Sequence, residues 1–394
     1  MKKTLTLLLA LMLLLSACGA QKADDTPVQP DTPAPTTQPD DPAPVTPTPT
    51  PEEQAEQRLR EAIADMTLEE KVGQLFFVRC PEAGAAEDVA AYHLGGLLLF
   101  GRDYKDAAGN WLTEEQFTQT LQSYQNAADL PLFIGSDEEG GTVTRASRNP
   151  NLFSEKLASP QSLYAALGLE GMAQKTEEYN RRLYDLGVNV NLAPVCDVST
   201  NPDNFIYERT FGQNAQATAD YISRVVPAYA EAGVACVLKH FPGYGNNADT
   251  HTGIAIDARP YTTFEQSDLV PFEAGIAVGA PFVLVSHNVV ECMDSAYPAS
   301  LSQKVHALLR DTLGFDGVIL TDDLAMDAVK AYAEDGSVAV LAIQAGNDMI
   351  VTTDYQTQIP QVIAAVRDGT IAESDIDAHV YRVLREKQAL GLID

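Results

Sequence analysis

Val234 to Gly253 reads VACVLKHFPGYGNNADTHTG. Its first five residues are apolar without alternation, as in a strand buried on both faces. Lys239 and His240 follow side by side. Pro242, Gly243, Gly245 and two asparagines then turn the backbone into a loop that can move. Asp249-Thr250-His251 closes the stretch. A carboxylate two residues from an imidazole can hold the ring and raise its basicity, and histidine is suited to passing a proton near neutral pH. A bare Asp-x-His triplet also arises where the Asp caps a turn and the His is solvated. The Lys-His pair directly after a buried strand favours an active-site layout: strand, cationic pair, loop, Asp–His dyad.

The same kind of apolar run recurs along the chain. Strands are expected at Gln74 to Val78, Gly96 to Phe100, Leu132 to Gly135, Val188 to Ala193, Val234 to Leu238, Phe282 to Val285, Val318 to Leu320 and Met349 to Val351. Amphipathic stretches lie between them, at Gln116 to Ala127, Glu170 to Leu186, Ala217 to Ala232, Leu301 to Leu313 and Ser337 to Ala345, with a closing helix at Ser374 to Leu390. Eight β/α units in roughly 340 residues point to an α/β fold, a single (β/α)8 TIM barrel. The alternative is a doubly wound sheet, which usually carries a glycine-rich turn after its first strand; VRCPEAGAAED (78–88) is not one.

On a barrel, catalytic residues follow strand C-termini. The residues there are Asp137, Asp197, Lys239, His240, His287, Asp322 and Asp323. Three of the six histidines (His240, His251, His287) belong to this rim. Val318-Ile319-Leu320-Thr321 delivers Asp322 and Asp323 to the mouth together. One can face the pocket as a nucleophile or electrostatic partner while the other caps the next helix, or both can cap it.

Composition bounds the rest. The chain has 394 residues, 45% hydrophobic, with a net charge of −29 and a pI near 4.4. Such acidity argues against nucleic acid and against electrostatic docking on anionic lipid. Lys2 and Lys3, the apolar run Leu5 to Leu15 and then Leu-Ser-Ala-Cys at 15–18 read as a secretory signal of residues 1–17. The ending resembles a bacterial lipobox. That implies lipid attachment at Cys18 and an anchor on the extracytoplasmic face of the cell membrane. Residues 18–51, rich in Pro, Thr and Asp, cannot bury a core and are expected to be a disordered tether. The folded domain is expected over 52–394. Thr50-Pro51-Glu52-Glu53 reads as a helix start, and Thr67-Leu68-Glu69-Glu70 as a capping box. Cys80, Cys196, Cys236 and Cys292 show no zinc spacing, although one disulfide is possible in an exported protein.

Lys239-His240-Phe241-Pro242-Gly243, Asp249-Thr250-His251 and Thr321-Asp322-Asp323-Leu324-Ala325-Met326 together resemble glycoside hydrolase family 3, in its β-N-acetylhexosaminidase branch. Leu68 to Gln74, Gly95 to Phe100, Asp137-Glu138-Glu139-Gly140-Gly141 with Arg145, Ala193 to Val198, Glu208 to Phe211 and Tyr297 to Ser302 also match that family, in order. The resemblance implies a retaining β-glycosidase without metal or cofactor. Asp322 would be the nucleophile, and His251, oriented by Asp249, the acid and base. Asp137, Arg209, Lys239 and His240 would bind the sugar hydroxyls, with Arg145 in support. Its partner would be a carbohydrate with terminal β-linked GlcNAc, of peptidoglycan or chitin type. Two departures, Tyr244 and the Glu138/Thr142 pair, stand where the family usually has His, Gln and Arg.

Three other readings compete. A metal-dependent barrel hydrolase would want an HxH pair on the first strand, and Val72 to Cys80 has no histidine. A non-catalytic sugar-binding lipoprotein would not need both Asp322 and the dyad. A phosphorylase would use the same site with phosphate as acceptor, because a neutral imidazole repels phosphate less than a carboxylate does.

Overall fold

Helix α1 (Pro51–Asp65) begins at a complete capping box: Thr50 accepts from the Glu53 amide, and Glu53 reaches back to the Thr50 amide. Helix α2 (Leu68–Gln74) repeats the device with Thr67 and Glu70. Leu59 and Ile63, one turn apart on α1, are buried. These helices lead into the barrel in a computed structural model that describes residues 49–245, 255–326, 329, 331–333 and 337–394.

Among the described residues ten strands follow: β1 (Phe76–Arg79), β2 (Gly96–Leu99), β3 (Phe133–Ser136), β4 (Val190–Asn191), β5 (Ala235–Phe241), β6 (Ile256–Asp257), β7 (Phe282–Val285), β8 (Val289–Val290), β9 (Val318–Thr321) and β10 (Ile350–Thr352). Eight of them pair in parallel in the order β10-β1-β2-β3-β4-β5-β7-β9. A parallel bridge between Leu320 and Met349 joins the two ends. The expected TIM barrel is therefore the fold, and the doubly wound alternative falls away. The main outer helices are α3 (Ala85–Tyr92), α4 (Glu114–Ala127), α5 (Pro160–Asp185), α6 (Ala215–Glu231), α7 (Val270–Ala277), α8 (Gln303–Ala307), α9 (Val338–Ala345), α10 (Tyr355–Arg367) and α11 (Glu373–Ala389).

The strands are apolar on both faces, yet alternate residues serve different cores. Ala235, Val237, Phe282, Leu284, Val318 and Leu320 pack with Phe77, Leu98 and Phe133 inside the barrel. Cys236, Leu238, Val283, Val285 and Ile319 pack outward with Ile222, Val225, Phe272 and Leu309. A side chain on Gly135 would come within 2.4 Å of the Phe77 ring and 3.2 Å of Leu98. This position needs glycine to let large neighbours fill the interior. One more step of the inward alternation toward the strand C-termini reaches Arg79, Phe100, Asp137, Lys239, Ser286 and Asp322. That layer floors the mouth.

Several boundaries differ from the sequence reading. Lys239 and His240 do not follow the strand; β5 includes them and continues to Phe241. The reason is pairing: Cys196 N–H donates to Lys239 O at 2.7 Å, and Ser286 N–H to Phe241 O at 2.9 Å. The helix expected from Glu170 starts at Pro160, capped by Ser159, with a break at left-handed Gly168 (φ 66°). The helix expected over Leu301 to Leu313 starts two residues later: Ser302 is extended, its hydroxyl caps α8 by accepting from Val305 N–H at 3.3 Å, and α8 then runs on into a π-helical turn at Leu308–Thr312. The two-residue strands β6 and β8 form their own parallel pair, too short to leave a pattern in sequence. Cys80, Cys196, Cys236 and Cys292 are all free thiols. Among the described residues no helix is long and apolar enough to cross a membrane.

Candidate active site

Strand ends β3, β4 and β5 bring an ion-pair chain together at the mouth. Lys239 Nζ donates to Asp137 Oδ1 at 2.7 Å and lies 2.6 Å from Glu139 Oε1. Glu139 also receives a two-point clamp from Arg209, Nε to Oε2 at 2.9 Å and Nη2 to Oε1 at 2.7 Å. Arg209 Nη2 lies 3.1 Å from His240 Nε2. The other ring nitrogen of His240 lies 2.7 Å from Asp197 Oδ2, and the second Asp197 oxygen accepts from Tyr244 N–H at 2.7 Å. Arg145 approaches the far side of Asp137, at 3.6 Å. Five of the expected site residues (Asp137, Arg145, Arg209, Lys239 and His240) thus share one network.

The local backbone explains the placement. Gly140 has φ +93°, and a Cβ there would sit 2.2 Å from Ala158 O, so only glycine lets the loop after β3 fold back on itself. This turn aims Glu139 inward beside Asp137. Glu138 points elsewhere: its carboxylate accepts from Ser147 Oγ at 2.8 Å and from the Arg145 amide, and so fixes the loop that carries Arg145.

The charges follow from burial and pairing. Burial alone would raise the Glu139 carboxyl, but Lys239 and Arg209 outweigh it and hold the group well below the usual carboxylate range. Burial would likewise lower Arg209, yet Glu139 holds it above its ordinary value. Glu138 is raised by burial, against the amides that donate to it.

Asp322 stands at the end of β9, across the barrel from this chain. Its amide donates to Val285 O at 3.0 Å, and its Oδ1 accepts from the Asp323 amide at 2.8 Å. Asp323 is the one that turns away: its Oδ1 accepts from Ala325 N–H at 2.9 Å. Burial raises the Asp323 carboxyl. His287 is wholly buried between Ser300 Oγ at 2.7 Å and Asp323 O at 3.0 Å, which suits a supporting role behind the Asp322 segment. Asp249, His251 and Cys18 lie outside the described residues.

Sequence reasoning passed over Glu139, the hub of the network. The signal was present in Asp137-Glu138-Glu139, but two adjacent acids cannot be told apart until the turn is known. It also passed over Ser286 and Asn288. Both are fully buried, and among the described residues Ser286 Oγ and both amide atoms of Asn288 have no hydrogen-bond partner. Sealed polar atoms of this kind cost roughly 1–3 kcal/mol each unless water or a ligand meets them.

Among the described residues the one cluster with metal-ligand character is Glu70, His93 and Asp129. All three precede barrel strands, so they lie on the face opposite the mouth. His93 Nδ1 already sits 2.7 Å from Asp129, and Glu70 is occupied by Thr67. The rim itself pairs its acids with protein cations, a layout for binding a polyhydroxylated molecule through charged hydrogen bonds.

An eight-stranded barrel with a charged polar ring and a strand-end carboxylate is the layout of a barrel enzyme with its site at the strand C-termini. Residues 67–386 match the model of the glycosyl hydrolase family 3 N-terminal domain, and the chain belongs to that family of glycoside hydrolases, acting on a carbohydrate. It is 33% identical over 280 residues to a beta-hexosaminidase of Nitrosomonas eutropha, covering 70% of this chain and 78% of the relative. It is 30% identical over 331 residues to the beta-hexosaminidase LpqI of Mycobacterium tuberculosis, covering 81% and 82% respectively. The solved glycoside hydrolase family 3 beta-N-acetylglucosaminidase from Paenibacillus sp. FPU-7 superposes with a TM-score of 0.76 at 31% identity. That match covers 83% of this chain and 63% of the longer Paenibacillus chain.

Proposed function

We propose that this protein is a retaining, exo-acting β-N-acetylglucosaminidase that removes terminal β-linked GlcNAc from cell-wall or chitin-type oligosaccharides. The observation that carries the reading is the Glu139-centred network: it holds Lys239, Arg209 and His240 in fixed orientations at the strand ends, opposite Asp322. A ring of pre-oriented donors positions a sugar without ordering cost at the moment of reaction. The relatives named above support the GlcNAc preference.

In this reading Asp322 attacks the anomeric carbon as the glycosidic bond breaks, forming a glycosyl ester through an oxocarbenium-like transition state. His251, held by Asp249, gives its proton to the leaving oxygen. It then takes a proton from the water that cleaves the ester, which restores Asp322 and His251 to their starting forms. Neither step uses a metal or a cofactor. Cys18 would carry the lipid that tethers the domain outside the cell through residues 18–51, and Cys18→Ala should release the mature protein from the membrane fraction.

The test is release of p-nitrophenol from β-GlcNAc and β-glucose aryl glycosides, with and without phosphate, by the wild type and by His251→Ala. Cleavage of the GlcNAc compound alone, crippled by the substitution, supports the proposal. A sugar 1-phosphate product would make the enzyme a phosphorylase. Glucose preference would overturn the GlcNAc assignment, and inactivity on both compounds would overturn the catalytic reading.

A further inference from the structure

Arg79 ends β1 and belongs to the inward layer that floors the mouth, two residues beyond the interior Phe77. Its guanidinium carbon lies 4.0 Å from the centre of the Phe100 ring. On the same ring, at 5.7 Å, lies the guanidinium of Arg145. Phe100 is thus bracketed by two arginines at the edge of the ion-pair chain.

The two arginines differ in what holds them. Arg145 faces Asp137 and donates to Thr144 O at 3.2 Å. Arg79 has neither a hydrogen bond nor an ion pair among the described residues, and its Nε is sealed from solvent. The acids that feel its charge, Asp103 and Asp323, are engaged elsewhere. Asp103 accepts from Phe100 N–H at 2.7 Å and pairs with Arg102, while Asp323 caps the turn at Ala325. Lys239 and Arg209 are each neutralised by a carboxylate within 2.7 Å.

A guanidinium laid flat on a ring is oriented by the contact, and its fork matches a carboxylate or sulfate. In a chain of net charge −29 an anionic ligand meets general repulsion, so local positive charge must offset it. A wholly neutral sugar would give this arginine no counter-charge.

We propose that Arg79 is a specificity-determining residue that binds an anionic substituent of the substrate, set against Phe100 and supported by Arg145. This rests on the glycosidase reading above and adds to it a requirement on the substrate's charge. The anion can sit on the leaving sugar or on the GlcNAc itself.

Two substrate pairs separate these sources. The first is GlcNAc-β1,4-MurNAc, with a lactyl carboxylate on the leaving sugar, against neutral chitobiose. The second is 4-nitrophenyl β-GlcNAc 6-sulfate against the unsulfated glycoside. The wild type should favour the anionic member of one pair. In Arg79→Gln that ratio of kcat/KM should fall roughly ten- to hundredfold, the size of a charged hydrogen bond. Arg79→Lys should recover part of it, since the charge remains and the fork is lost. Equal losses on both members of a pair would show a merely structural arginine and overturn the proposal, as would a wild type without preference in either pair. Calorimetry of free MurNAc, GlcNAc and GlcNAc 6-sulfate with wild type and Arg79→Gln needs no turnover. It therefore reads the proposal even if GlcNAc glycosides are not cleaved. Arg79-dependent binding of either anionic sugar over GlcNAc supports the proposal; its absence overturns it.

Discussion

Two buried carboxylates, at opposite ends of the barrel, each gather two cations beside a histidine. At the mouth Glu139 holds Lys239 and Arg209, with His240 adjoining. At the other end Asp348, just before β10, holds Arg310, Arg382 and His379. Burial would raise both acids; Lys239 and Arg209 outweigh it at Glu139, and the His379 hydrogen bond together with Arg310 and Arg382 at Asp348, so both lie well below the usual carboxylate range. The residue chemistry is nearly the same; the spare capacity is not. Asp348 also accepts from Ile319 N–H at 2.7 Å, and Arg310 Nη1 donates to Phe315 O and Gly317 O. The bonds of that set run to other protein groups at the strand bottoms and tie α11 to them. At the mouth Lys239 contacts two acids, Asp137 and Glu139, so among the described residues a third N–H has no protein partner, which the proposed function assigns to the sugar. An ion-pair cluster is a binding device only where its cations keep donors facing a cavity.

The comparison can be broken experimentally. Asp322→Asn, which removes the proposed nucleophile, should lower kcat by roughly 10³-fold or more with an unchanged circular dichroism spectrum. Near-normal turnover would remove Asp322 from the mechanism. Asp348→Asn should cost about 3–5 kcal/mol in urea unfolding, because it strands buried cations, while the folded fraction keeps its KM. A changed KM would mean that the lower cluster reaches the site. Glu139→Gln should lower kcat/KM on the GlcNAc aryl glycoside roughly 10²-fold, since Lys239 and Arg209 lose their orientation. If only stability falls, the mouth cluster is structural like its counterpart.

The smallest effect concerns Lys387, buried under the barrel with its Nζ 2.6 Å from Gln74 Oε1. Burial lowers this ammonium from an ordinary 10.5 to about 7. Between those values the unfolded chain holds a proton that the folded chain lacks. Stability should therefore rise with pH across the window, by about 1.4 kcal/mol per unit, and the penalty is complete below it. Lys387→Met should flatten that slope in unfolding curves at pH 7 and 9.5; an unchanged slope would mean the lysine is charged in the fold.

Much of this was legible in the residues. Continuous apolar runs such as Val234 to Leu238 and Phe282 to Val285 announced strands covered on both faces, and their number pointed to the barrel. Caps at Thr50 and Thr67 marked helix starts, because a hydroxyl and a carboxylate three residues apart satisfy two free amides locally. Asp137, Lys239 and His240 were expected because strand ends on a barrel converge, and Arg145 and Arg209 through the family resemblance; the fold brings the five into one network. What failed was non-local. The helix expected from Leu301 starts only at Gln303, after an extended Ser302, and β5 ran past its apolar residues because neighbouring segments paired with the Lys239 and Phe241 carbonyls. Neither contact is encoded within the segment itself.

Residue order alone thus specifies the period, the caps, the number of barrel strands and the acids and bases available at the rim. Which of Glu138 and Glu139 faces the mouth, whether Asp322 or Asp323 turns away, and that Arg79 has no partner among the described residues were decided only by the folded chain. Those choices depend on backbone turns and on groups a hundred residues apart, such as Asp137 and Lys239. Electrostatic pairing acts through distance in space, and a linear sequence does not contain that distance.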